Sequence, residues 1–160
     1  MVQQEKDIDG LKVLVTMLDF DTSNPLLWEL MRKAAPILGA ISGDRFAEQE
    51  VKDALVPMAL QFFANFPRSD WEYVRDTLYR NVVVQGEMSD GQKARVELKD
   101  SKGRNLALSG RQITAMKVLL FALEVNFRDF YDALAPSLAR IRTRLSESQT
   151  TSPLGGEGST

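Results

Sequence analysis

Hydrophobic positions follow two rhythms along this chain, a period of two in a few short stretches and a three-to-four spacing over most of the rest. After about nine polar residues, Leu11, Val13, Val15 and Met17 alternate with Lys12 and Thr16. That is the period of a half-buried strand, and it predicts one from Lys12 to Leu18, although Leu14 and Leu18 spoil the alternation. Asp19 to Asn24 should form a polar turn, with Asn24 capping a helix whose first position, Pro25, has no N–H to lose. Leu27, Leu30, Met31, Ala34, Leu38 and Ile41 share one face of that helix, and Pro36 inside it should bend it. After the break at Ser42-Gly43-Asp44, Ala47, Val51, Leu55, Met58, Phe62 and Phe66 repeat the pattern around an internal Pro57.

Ser69 and Glu72 have the spacing of a capping box and predict a short helix to about Arg80. Val82-Val83-Val84, then Ala94, Val96 and Leu98, read as two strands, and Asp90-Gly91 between them is a type I′ turn signal. Ser101-Lys102-Gly103 reads as a further turn, with Leu106 and Leu108 as a short third strand. Ser109-Gly110-Arg111-Gln112 resembles another capping box. It opens a long helix in which Ile113, Met116, Leu120, Leu123, Phe127, Phe130 and Leu134 form one stripe. From Val118 to Leu123 this helix is apolar nearly all round, so it should run through the middle of the domain as a core rod. Pro136 interrupts it. Leu138, Ile141 and Leu145 continue a weaker stripe beside Arg140, Arg142 and Arg144, cations suited to a helix C-terminus.

These elements predict an α+β fold, mostly helical, with kinked helices, a long C-terminal core helix and a small antiparallel hairpin or sheet. Residues 1–145 read as a single domain. Residues 146–160 hold one large apolar side chain, Leu154, among Ser, Thr, Gly, Pro, Gln and Glu, and are expected to remain a disordered tail.

Composition narrows the function more than the fold. At 160 residues, with 44% hydrophobic and 26% charged side chains, the chain suits one globular domain. It contains neither cysteine nor histidine. Thiolate chemistry, disulfides and the commonest proton shuttle and metal ligand are therefore absent, so no catalytic, cofactor or metal site is expected. The net charge of −2 offers no basic field for nucleic acid or anionic lipid. No apolar stretch approaches the roughly 20 residues of a membrane span, and the polar start lacks a signal-peptide pattern. A soluble, cytoplasmic protein is the expectation.

Candidate chemistry is sparse. Asp19-Phe20-Asp21-Thr22 after an apolar strand matches the Asp-x-Asp of haloacid-dehalogenase-type phosphatases, in which one carboxylate attacks phosphate and the other handles a proton. That family needs a parallel sheet of repeated βα units and further magnesium-binding carboxylates, which the element order here does not supply; a solvated turn ahead of a helix is the simpler reading. Asp129 and Asp132 could share a helix face for a cation, but Glu124, Arg128 and Asp132 at four-residue spacing fit an ion-pair ladder. Gly155-Gly156-Glu157-Gly158 has no following helix and is not a phosphate loop. Trp28, Trp71, Phe62, Phe63 and Phe66 could stack on bases, but acidic charge and helical spacing favour core or protein-interface roles.

Three segments resemble the phage tail assembly chaperone family of long-tailed phages. They are Leu26-Leu27-Trp28-Glu29-Leu30 running into Ala35-Pro36-Ile37-Leu38-Gly39-Ala40; Trp71 to Gln85; and the most specific, Phe121-Ala122-Leu123-Glu124-Val125-Asn126-Phe127-Arg128-Asp129-Phe130 with its Val-Asn-Phe-x-x-Phe ending. The resemblance spans roughly Leu11 to Leu134. It implies a non-enzymatic helper that coats the helical tape-measure protein and recruits tail-tube subunits in the host cytoplasm and is absent from the mature virion; self-association into a homo-oligomer is left open by the sequence. Family members are often made in two lengths by ribosomal frameshifting. A client helix would need apolar anchors at three- and four-residue spacing, and Phe127, Phe130, Tyr131 and Leu134 are the expected contributors, with Met116, Leu120 and Leu123 in the core; the competing reading places all seven in the core. The alternative is a structural component retained in the virion tail or head.

Overall fold

The first element formed is one the hydrophobic pattern does not announce. The computed structural model describes residues 2–41 (backbone only from 34 to 41), 60 and 62–129. Within them the polar start is a strand, β1 (Gln3–Ile8), paired antiparallel with β2 (Leu11–Thr16). The connection is Asp9-Gly10, with φ of 49° and 83°. Two consecutive left-handed residues define the type I′ turn, whose twist matches that of the flanking strands. β1 lacks apolar alternation because it is an edge strand with little to bury. On its inner side Lys6 lays its ammonium 5.4 Å from the Phe121 ring centroid, a cation–π contact that lets a charged residue cover core. Charges on such an edge also discourage pairing with foreign strands.

The expected polar turn at Asp19 to Asn24 is instead the beginning of helix α1 (Phe20–Ile41). Asp19, not Asn24, caps it: its Oδ1 accepts the Thr22 amide at 2.9 Å and its Oδ2 accepts the Thr22 hydroxyl at 2.9 Å. Pro25 therefore lies in the second turn, and the helix continues through Pro36. Leu26 and Leu30 are the buried positions, Leu27 is half-buried and Met31 is exposed, so the buried face is rotated from the one expected. Ala47, Val51, Leu55 and Met58 of the expected second helix lie outside the described residues; the chain is helical at 60 and 62–64.

Helix α2 (Arg68–Tyr79) follows, two residues earlier than the capping box predicts. Its cap is Pro67, with no side-chain hydrogen bond, and Glu72 pairs with Arg68 at 2.9 Å. β3 (Val82–Glu87) and β4 (Lys93–Glu97) form the expected hairpin, with Val84 opposite Val96. Only Gly91 of its turn has positive φ, 82°, and Met88 and Gln92 pair through N–H to O at 2.8 Å. The turn is thus a three-residue loop with glycine in the left-handed position rather than type I′.

The expected third strand does not form. Residues Ser101–Leu108 are helix α3, capped by Asp100, whose Oδ1 accepts the Gly103 amide at 2.8 Å. Gly103 allows α3 to lie directly on β4, because a Cβ at that position would overlap the Glu97 carbonyl oxygen. Ser109 ends α3 rather than capping the next helix, and Gly110 follows with φ 73°, the left-handed residue that commonly closes a helix.

The long helix, α4, is described over 112–129. Val118, Leu119 and Ala122 are fully buried and Phe121, Leu123, Val125 and Phe127 nearly so, which is the core rod expected from its composition. The sheet, in order β1-β2-β3-β4 and antiparallel throughout, turns Leu11, Val13, Val15, Val82 and Val84 into the same hydrophobic cluster as the rod. The protein is α+β and mostly helical. Leu134, Pro136 and the stripe beyond it, with the tail at 146–160, lie outside the described residues.

Polar side chains fix the rod against the strands. At the hairpin tip Asp9 accepts from the Thr114 hydroxyl and the Lys117 ammonium, both at 2.8 Å. The buried Tyr79 hydroxyl donates to the Ala115 carbonyl at 2.7 Å, and Arg111 donates to the Glu87 carbonyl at 2.9 Å. Further along, the buried Asn126 accepts the Leu18 amide at 2.7 Å and donates to the Ala122 carbonyl at 2.7 Å. No described buried side-chain nitrogen or oxygen lacks a partner.

Candidate protein-binding surface

The aromatic residues divide into two groups that sequence alone could not separate. Phe62, Phe63 and Phe66 meet edge to face at centroid distances of 4.8 to 5.2 Å, and Trp71 packs 5.0 Å from Phe63. These rings are a packing cluster and present no stacking platform. Trp28, in contrast, is 63% exposed and Tyr73 is 43% exposed. They flank an open cleft of about 530 Å³ between α1 and α2, whose apolar lining includes Phe66 and Val74.

Charge in this cleft is already paired. Arg32 donates to Glu29 at 2.8 Å on the rim. Lys33 is bonded to Asp70 across the two helices and lies 5.2 Å from the Phe66 centroid. Paired charges leave little net field, so the cleft offers aromatic contact area with polar fixing points, a composition suited to polypeptide more than to a phosphate or a cation. A second cleft of about 400 Å³ beside Trp71, Tyr79 and Met116 has Tyr79 buried within it and Trp71 tied into the aromatic cluster.

Among the residues expected to meet a client, Phe127 is 4% exposed and belongs to the core cluster; Phe130, Tyr131 and Leu134 lie outside the described residues. Met116 and Leu123 are buried and Leu120 is half-buried. Asp19 spends both carboxylate oxygens on its helix cap, and those bonds to Thr22 hold its carboxyl below the ordinary range. The antiparallel sheet also lacks the βα units that an Asp-x-Asp phosphatase requires. Among the described residues no group of three or more Asp and Glu could hold a metal ion, and no helix is long and apolar enough to cross a membrane.

Sequence reasoning picked out Trp28 as an aromatic but missed Tyr73. The available signal was that α1 bears more apolar residues than one face can bury: Leu26 and Leu30 point inward while Phe20, Trp28 and Met31 lie elsewhere around the helix.

The Asn126 contact gives a structural reason for the Val-Asn-Phe pattern: the amide ties the end of β2 to the rod, and the flanking Val125 and Phe127 fill core. No match was found among curated proteins or solved structures. Residues 9–140 match the family model described as phage tail assembly chaperone protein, TAC. That span includes strands β2 to β4, the cleft and the rod, and the chain belongs to the phage tail assembly chaperone family.

Proposed function

We propose that this chaperone binds the tape-measure protein and tail-tube subunits during tail assembly, using the α1/α2 cleft as an apolar seat for a client helix. The observation that carries the reading is the pair of solvent-facing aromatics, Trp28 and Tyr73, which flank the α1/α2 cleft and belong to no described core cluster. Rigid aromatic rings supply contact area at small entropic loss and commonly dominate binding energies. Phe130, Tyr131 and Leu134 extend the same reading toward the C-terminal part of the chain. The protein acts in the host cytoplasm, has no catalytic step and is left out of the finished virion.

Co-expression with the tape-measure protein and co-purification tests this. Trp28→Ala and Tyr73→Ala should each weaken capture by about tenfold or more, while melting changes little because both side chains are exposed. Unchanged capture in both variants refutes the cleft. Phe130→Ala separates client contact from core: loss of capture with unchanged melting supports a surface role, whereas a core residue of that size costs about 3–5 kcal/mol of stability. The second reading, a structural component of the tail or head, requires the protein to be present in purified particles, which a mass-spectrometric inventory decides.

A further inference from the structure

The second cleft, of about 400 Å³, opens where α2, α3 and the start of the rod meet, and its charge is arranged unlike that of the first. Its floor is apolar, with Leu108 and Met116 buried and Leu60 38% exposed at the rim. Two cations line it, Arg75 from α2 and Arg104 from α3, and no described carboxylate does. Both are held by a single oxygen outside the lining: Asp76 Oδ1 lies 2.9 Å from Arg75 Nε and 3.4 Å from Arg104 Nη1. Among the described ion pairs, one carboxylate thus offsets two guanidiniums that stand side by side with only 28% and 17% of their side chains exposed. Arg104 Nη1 also donates to the Leu98 and Lys99 carbonyls at 3.2 and 3.3 Å, which fixes its place. A guanidinium has five N–H donors, so these contacts leave donors on both arginines for a further acceptor.

We infer that this cleft receives an acidic side chain of a bound polypeptide, with the Asp or Glu carboxylate on Arg75 and Arg104 and an apolar neighbour one helical turn away on Leu60, Leu108 and Met116. Two adjacent guanidiniums repel each other, and a second carboxylate relieves that repulsion while meeting planar donors suited to bidentate bonding. Because both cations are largely shielded, the attraction is screened less than that of a fully exposed pair. A small free anion would leave the apolar floor bare, whereas side chains three or four apart on a client helix stand close enough to satisfy both halves of the cleft. The inference rests on the reading of this protein as a polypeptide binder and adds to it a sequence preference. The site is separate from the α1/α2 cleft, with which it shares no lining residue.

An array of amidated peptides of about 20 residues, tiled across the tape-measure protein and probed with the full chain, tests the inference. A subset should bind wild type and Tyr73→Ala but lose binding to Arg75→Gln, and each member should carry Asp or Glu within four residues of an apolar side chain. In solution, changing that Glu to Gln in the peptide and Arg75→Gln in the protein should each raise the dissociation constant about tenfold, and the two together should cost little more than either alone. Asp76→Asn removes the competing carboxylate and should tighten binding about threefold, an effect that damage to the fold cannot imitate; melting curves accompany each variant. Absence of such a subset overturns the inference, as do additive losses in the double change or an Asp76→Asn chain that binds no better than wild type. Equal or tighter binding by a peptide whose only carboxylate is its free C-terminus also overturns it, in favour of a chain-end site. Peptides lost with Tyr73→Ala but none with Arg75→Gln remove this cleft and leave the α1/α2 cleft standing; no bound peptide at all removes both.

Discussion

Asn126 is the buried polar group on which the junction between sheet and rod depends, and its replacement gives a sharp measure of that junction. Its side chain is 9% exposed, and its Oδ1 is the hydrogen-bond acceptor of the Leu18 amide at 2.7 Å. Leu18 is itself 6% exposed, so water cannot readily replace the lost acceptor. Asn126→Ala leaves that N–H unpaired, worth about 1–3 kcal/mol. It also removes the bond to the Ala122 carbonyl and opens a small void. A total near 2–4 kcal/mol follows, or a fall in melting temperature of roughly 4–16 °C for a chain of this size. Glu124→Ala, two residues earlier on the exposed side of the same helix, should stay within about 0.5 kcal/mol. Urea unfolding of the three proteins gives the energies, and amide exchange at Leu18 reports the local bond. If Asn126→Ala unfolds with Glu124→Ala and Leu18 exchanges no faster than in wild type, the amide is not holding the two elements together.

Gly103→Ala should destabilise by about 1–3 kcal/mol, because the new methyl forces α3 away from the Glu97 carbonyl; thermal melting checks this, and an unchanged midpoint contradicts the close packing. Bonds from Lys117 and Thr114 hold the Asp9 carboxyl below its ordinary value, so its contribution is present above the unfolded value and is lost as pH falls through the folded one. Asp9→Asn, which tolerates the left-handed backbone, should therefore flatten the decline in stability below about pH 4, measured by melting across pH. Burial raises the Tyr79 phenol above its ordinary value, so the fold should lose stability as pH rises past about 10, where the unfolded tyrosine ionises. Tyr79→Phe should remove that alkaline loss while giving up about 1 kcal/mol for the bond to Ala115 at neutral pH.

The rod and the β3–β4 hairpin were legible because each is announced by a repeating signal: Val118 to Leu123 by apolarity on every side, and Val82 to Leu98 by alternation around Asp90-Gly91. What escaped was set by contacts the local pattern does not encode. β1 carries Gln4 and Lys6 on its inner side, and Lys6 contributes through its stem and its place over Phe121, so no apolar period marks it; the Asp9-Gly10 turn signal was the available clue. Leu106 and Leu108 mimicked a strand, yet the Asp100 cap and a glycine admitting the Glu97 carbonyl make the segment a helix. At α1, Asn24-Pro25 looked like a helix start, but Asp19 with Thr22 three residues on offers a cap that satisfies two bonds, and this one prevailed. Of the client residues expected at the rod's end, Phe127 is buried in the core, while Phe130, Tyr131 and Leu134 lie outside the described residues; among the described residues the exposed aromatics, Phe20, Trp28 and Tyr73, stand on α1 and α2.

This division of labour between helices has a physical logic. The rod is anchored to the strands at Asp9 and at Asn126 and to α2 through Tyr79, so the apolar residues buried between Met116 and Phe127 are committed to the core and cannot serve a client without opening it. α1 is different: Leu26 and Leu30 are buried and Leu27 packs against the core, while Phe20, Trp28 and Met31 are exposed on other sides of the helix. Phe20, Trp28 and Met31 leave 73%, 63% and 36% of their surface exposed, apolar area that contributes nothing to the isolated fold and carries an aggregation risk. Their presence on a helix already anchored by other residues is therefore what a binding requirement would produce, and a helper that holds polypeptides can meet it without a polar cleft, a cofactor or a histidine.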